Sequence, residues 1–179
     1  MSQLRIAVIG AGHLGRIHAK LLGSVEGVEL VGISDPFEQA RAKASELYQV
    51  PVYADYRDLI PSIDAAVIAS PTDSHSKICR DLLKESKHVF VEKPLTIDRS
   101  DATQLAALAG AKNVTLQVGH VERFNPAFTA LGDLAVDVKY VEAVRASRFP
   151  GRCLDVGVVM DLMIHDLDLV LSFTDAPIR

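Results

Sequence analysis

Four groups of residues have the types and spacing to do chemistry. The first is Gly10-Ala11-Gly12-His13-Leu14-Gly15, which follows an apolar run and opens a helical pattern. Glycine at 10 permits a tight turn, at 12 a close approach of backbone to a pyrophosphate, and at 15 close packing of helix on strand; the helix N-terminus attracts the anion. Asp35 stands about 20 residues past Gly15, where such a fingerprint places a ribose-binding carboxylate. A carboxylate accepts hydrogen bonds from both ribose hydroxyls and repels a 2′-phosphate, so the pattern points to NAD rather than NADP. Arg41, about one turn into the next helix, is placed to soften that preference, and the plainer reading of Asp35 is a helix cap before Pro36.

The second group, Ser70-Pro71-Thr72 with His75, follows an apolar run at the edge where open α/β sheets bind ligands. Its hydroxyls suit a dinucleotide, and equally suit a capping turn. The third is Glu92-Lys93-Pro94, again at a strand end. A lysine there meets a ligand or a fixed carboxylate, because desolvation disfavours its charge; the alternative is a surface lysine paired with Glu92. The fourth is Asp161, His165 and Asp168, which share one face of a helix by their i, i+4 and i+3 spacing. An imidazole beside a carboxylate suits a general base, with a metal site or an ion-paired face as the alternatives. No metal site is expected from the ligand spacing.

Elements must hold these groups in place. Apolar runs at 4–9, 28–33, 65–69, 88–91 and 114–118 alternate with helical periodicity, as in Ile17, Leu21 and Leu22, and in Ile78, Leu82 and Leu83. Asp73 or Ser74 is expected to cap one helix and Asp98 another. This predicts an α/β fold, a doubly wound parallel Rossmann sheet, over 1–121. Beyond it the rhythm changes to a helix at 125–134, an alternating strand at 140–149 and a helix at 156–173. One strand cannot satisfy its own backbone, so 122–179 reads as the incomplete start of an α+β domain, completed by further chain or by a partner subunit.

Composition bounds the function. The 179 residues are 49% apolar and 23% charged, ordinary for a globular chain. The net charge of −4 offers no excess of cations to phosphates, against a nucleic-acid partner. Asp161, His165, Asp166 and Asp168 within 156–173 argue against a membrane span. Two cysteines, Cys79 and Cys153, read as reduced thiols, and the N-terminus lacks a signal-peptide pattern, so a cytoplasmic location is expected.

The loop, the Glu92-Lys93-Pro94 element and the 157–165 segment together resemble the family of glucose-fructose oxidoreductase, inositol dehydrogenase and MocA (Gfo/Idh/MocA), over all 179 residues. The resemblance implies an NAD-dependent oxidoreductase acting on a sugar or polyol hydroxyl, usually as a homo-oligomer. It implies that Lys93 lies beside the nicotinamide and substrate hydroxyl, that His165 takes the hydroxyl proton, and that Asp161 assists. Residues 119–126 and 155–166 are most similar to members that oxidise the 3-hydroxyl of UDP-N-acetylglucosamine, which would bring His120, Arg123 and Asn125 near the substrate. The implied cofactor set is Gly10, Gly12, His13, Leu14, Gly15, Asp35, Ser70, Pro71, Thr72, His75, Glu92 and Lys93. Family members continue well beyond residue 179, so a silent dinucleotide-binding module stands as the competing expectation, with another sugar or inositol as the competing substrate.

Overall fold

A computed structural model of the chain describes residues 3–131, 138–146 and 156–173. The chain divides into two compact units, Met1–Val118 and Gly119–Arg179. The first is built on strands β1 (Leu4–Ile9), β2 (Val28–Ser34), β3 (Val52–Tyr53), β4 (Ala65–Ile68), β5 (His88–Glu92) and β6 (Leu116–Gly119). They form one sheet in the order β3-β2-β1-β4-β5-β6, with parallel pairing along β3, β2, β1, β4 and β5. Helices α1 (His13–Leu22), α2 (Glu38–Tyr48), α3 (Thr72–Lys84) and α4 (Arg99–Lys112) link the strands, and a 3-10 stretch, Tyr56–Ser62, returns the chain from β3 to β4.

The strands are apolar on both faces because both are covered. Side chains alternate along β1: Ala7 and Ile9 join Ile78, Leu82, Leu83 and Leu105 of α3 and α4, whereas Ile6 and Val8 join Ala19 and Ala44 of α1 and α2. Cys79 is fully buried in the first cluster, and burial pushes its thiol up to about 12. Cys153 lies outside the described residues. The order of strand addition reverses at β1, from which β2 and β3 extend the sheet to one side and β4 to β6 to the other. That reversal opens a crevice at the carboxyl ends of β1 and β4, where doubly wound folds bind ligands.

Several expected boundaries move. Strand β3, two residues long, was not expected. Helix α3 begins at Thr72, ahead of Asp73 and Ser74, with no side-chain cap, whereas Asp98 does cap α4 by accepting from the Ser100 N–H at 2.8 Å.

In the second unit a 3-10 turn, Val121–Phe124, leads to α5 (Pro126–Thr129), shorter than the helix expected over 125–134; residues 132–134 lie outside the described residues. The strand expected over 140–149 is not formed over 140–146, and 147–149 lie outside the described residues. Residues 138–146 have no paired strand among the described residues, and a strand without a neighbour leaves its amides and carbonyls unbonded. The helix expected over 156–173 is a π-helical turn, Val159–Met163, followed by α6 (Ile164–Leu171).

Candidate functional site

The glycine loop is built by contacts that exclude side chains. Gly10 has φ +99°, and a Cβ there would stand 2.6 Å from the Ala69 carbonyl oxygen; its N–H donates to the Ser34 carbonyl at 2.7 Å, tying the loop to the end of β2. A Cβ on Gly15 would stand 1.7 Å from the Gly10 oxygen, so only glycine lets α1 sit on the loop. Gly12 differs: a Cβ there would meet nothing within 4 Å. The protein's own packing does not require glycine at 12, and the open space suits a ligand brought against the backbone. No side chain caps α1 and its first turn carries no acid, so its first amides keep their donors for an anion. His13 and Leu14 are exposed at this turn.

Asp35 is 8% exposed at the end of β2. Its Oδ2 accepts the Ala11 N–H at 2.8 Å and its Oδ1 the Phe37 N–H at 2.9 Å. The cap reading fails, because α2 has Phe37 at its N-cap and no side-chain cap; the carboxylate instead closes the turn before α2 and braces the glycine loop, and each oxygen keeps further acceptor capacity for a hydroxyl. Strand β3 supports it, since the Asp35 N–H donates to the Tyr53 carbonyl at 3.0 Å. Arg41 reaches back to donate to the Asp35 and Pro36 carbonyls at 2.9 and 2.8 Å. A cavity of about 440 Å³ opens here, lined by Gly10, Asp35, Pro36, Phe37, Ser70, Pro71 and Lys77 among others.

Across the crevice, Ser70 and Ser74 hydroxyls lie 2.6 Å apart, and Thr72 is buried at the start of α3. His75 is 1% exposed. Its Nδ1 faces the Pro94 carbonyl and its Nε2 the Ser70 carbonyl, each at 2.9 Å, so both ring nitrogens are engaged within the protein. Glu92 is nearly buried at the end of β5, its Oε1 2.6 Å from His18 Nε2 on α1. Lys93 follows, half-buried, with a cis Lys93–Pro94 peptide. His18 went unnoticed in the sequence. The available signal was a polar side chain three residues past Gly15 on the helix face that carries buried Gly15 and Ala19.

In the second unit Arg123 is a structural partner: its Nε and Nη2 donate to the Asp168 carboxylate at 2.7 and 2.9 Å. The hydrogen bonds from Arg123 hold the Asp168 carboxyl below the usual carboxylate range. His120 Nδ1 stands 4.0 Å from Asp168 Oδ2. Asn125 caps α5, accepting the Ala127 N–H at 3.0 Å. Arg145 likewise clasps Asp166 at 2.8 Å. Asp161 falls inside the π turn and His165 in the first turn of α6, both half-buried. The structure thus groups His120, Arg123 and Asp168, with His165 in electrostatic reach of Asp168. Among the described residues no cluster of His, Cys, Asp or Glu is arranged to hold a metal, and no helix is long and apolar enough to cross a membrane.

A parallel sheet of this order with a glycine loop, an edge carboxylate and an open crevice defines a dinucleotide-binding Rossmann domain. Residues 4–120 match the Gfo/Idh/MocA oxidoreductase family, NAD-binding Rossmann fold, and the chain belongs to that family. It is 34% identical over 177 residues to UDP-N-acetylglucosamine 3-dehydrogenase of Acidithiobacillus ferrooxidans, covering 98% of this chain and 56% of that protein. A crystal structure of that relative superposes with a TM-score of 0.91, over 100% of this chain and 59% of the other. Identity is 31% over 191 residues to scyllo-inositol 2-dehydrogenase (NAD(+)) of Bacillus subtilis, covering 98% of this chain and 55% of that protein. The fold recurs in GenD2 from gentamicin A biosynthesis, solved in complex with NAD, at 24% identity and TM-score 0.85, over 99% of this chain and 55% of the other. The chain spans little more than half the length of these relatives.

Proposed function

We propose that the chain serves NAD-dependent oxidation of a sugar hydroxyl, with the 3-hydroxyl of UDP-N-acetylglucosamine as the favoured position. The observation that carries the cofactor is the Asp35 carboxylate at the crevice edge beside the open space at Gly12; the substrate follows the 34% identical relative. Residues 1–121 form the cofactor domain in this reading, and 122–179 begin a substrate domain. The protein works in the cytoplasm as a homo-oligomer.

NAD, when bound, supplies the acceptor for the hydride leaving the sugar carbon. The glycine loop and the N-terminus of α1 would hold its pyrophosphate, and Asp35 its adenosine ribose. A sugar hydroxyl is too weak an acid to ionise at neutral pH, so its proton leaves as the hydride does. His165 receives that proton, Asp161 orients the imidazole, and the Lys93 ammonium stabilises the charge developing on oxygen.

The test is NAD reduction by the 179-residue chain with UDP-N-acetylglucosamine against UDP-glucose, inositol and no substrate, beside a titration of NAD binding. Turnover confined to the amino-sugar nucleotide supports the full reading. In that event Lys93→Met and His165→Asn lose turnover and retain NAD affinity; full activity in either variant removes its assigned role. The second reading, a cofactor-binding module without turnover, is favoured by the first unit, which by itself carries the glycine loop and Asp35. It predicts binding with no reaction on any substrate.

A further inference from the structure

Two histidines reach the element that carries Lys93, one on each side of it. Before it, His18 Nε2 lies 2.6 Å from Glu92 Oε1, both side chains largely removed from solvent. A carboxylate only accepts, so Nε2 carries the hydrogen, and the short contact is that of a charge-assisted bond. The His18 ring packs edge-on against Phe90 of the same strand, centroids 5.4 Å apart, which sets its orientation. After it, fully buried His75 spans from the Pro94 carbonyl to the Ser70 carbonyl. The ring N–H donates to one of these carbonyls, and the protonated ring donates to both.

The two histidines come from different helices on opposite faces of the sheet. His18 belongs to α1, whose N-terminus is the glycine loop, and His75 to α3, which starts at the Ser70 edge. We infer that His18 and His75 are positioning residues: His18 holds the Glu92 side chain from the loop helix and His75 stands against the Pro94 and Ser70 carbonyls, so that the two brace the segment on both sides of Lys93. A lysine that must meet a reacting oxygen gains from such support, because supporting hydrogen bonds lock the geometry of a working side chain. The inference rests on the proposed reading of Lys93 for its catalytic meaning, while the clamp itself rests on geometry.

The test reads Lys93 directly. Competitive acetylation of the folded chain from about pH 7 to about pH 11, the range of lysine titration, with mass spectrometry of the Lys93 peptide, gives its reactivity and titration midpoint. Lys87, half-buried with its ammonium donating to the Ile63 carbonyl at 2.8 Å, serves as the internal reference. In His18→Ala and His75→Ala the relative reactivity of Lys93 rises roughly threefold or more as local opening becomes easier. His18→Gln, whose amide still donates to Glu92, moves it back toward wild type. General loosening would raise Lys87 and Lys93 together and restore nothing in the glutamine variant, which would overturn the inference. So would folded alanine variants whose Lys93 reactivity and midpoint match wild type. If an alanine variant does not fold, the corresponding His18→Phe or His75→Phe, which fills the ring's space without a nitrogen donor, decides by the same criterion. An NAD titration of the wild-type chain runs alongside. Lys93 responding to the histidines in a chain that binds no NAD upholds the clamp and removes the cofactor reading; NAD binding with an indifferent Lys93 removes the clamp alone.

Discussion

Asp35 braces the glycine loop and, in the proposed reading, holds the cofactor ribose, so its substitution should show both. Asp35→Ala orphans the Ala11 and Phe37 amides and removes the acceptors offered to a ribose. Hydrogen bonds to a charged group are worth about 2 kcal/mol, so NAD affinity should fall roughly thirtyfold, read by calorimetric titration. The melting temperature should also drop, because the Ala11 amide is left without its acceptor. Unchanged affinity would remove Asp35 from the site. The glycines separate the same two effects. Gly15→Ala drives a methyl into the Gly10 carbonyl and should cost both stability and binding. Gly12→Ala meets nothing in the protein, so it should melt near wild type and still bind NAD more weakly, as followed by thermal unfolding and titration of the same samples.

Elements whose strands run long and apolar were readable from the residues alone: β1, β2, β4 and β5 announce themselves, and the glycine loop falls where β1 must turn into α1. Val52–Tyr53 was not readable, because two residues carry no periodicity, yet this strand holds the Asp35 backbone through Tyr53. The π turn around Asp161 escaped notice because i, i+4 spacing looks the same on paper in an α or a π helix. The Arg123–Asp168 pair joins residues 45 apart and has no local signature. Tertiary pairing also placed His18 against Glu92, across 74 positions. Between elements, Arg5 of β1 grips Asp64 just before β4 at 2.7 Å. The hydrogen bonds from Arg5 hold the Asp64 carboxyl at about 2, below its usual value. A carboxylate with a depressed folded-state pKa stabilises fully above its unfolded value of about 4, and that contribution is lost as pH falls toward about 2. Asp64→Asn should therefore show a shallower loss of melting temperature between those limits than wild type. The effect should be small for so exposed a pair; identical acid profiles would contradict it.

Across the whole chain, order is unevenly distributed. Residues of the first unit include a core whose members, among them Ala7, Val8, Leu59, Leu82, Leu83 and Leu105, are inaccessible to solvent. Among the described residues of the second unit after Gly119, none is buried, and Phe124, Tyr140 and Val144 stand more than 80% exposed. Hydrogen exchange of the isolated 179-residue chain should show this directly: amides of β1, β4 and β5 exchange only through global unfolding, and those of α5 and α6 exchange sooner. Equal protection in both would contradict the burial pattern. The interlocked Gly10 and Gly15 bear on a different quantity, the entropy of association. A loop that fits its helix so closely is already ordered by folding, so the cofactor docks onto a finished surface. Ordering that loop is a cost of folding and not of binding. The heat-capacity change on NAD binding should then match the surface the dinucleotide covers, with no added component from a segment folding around it.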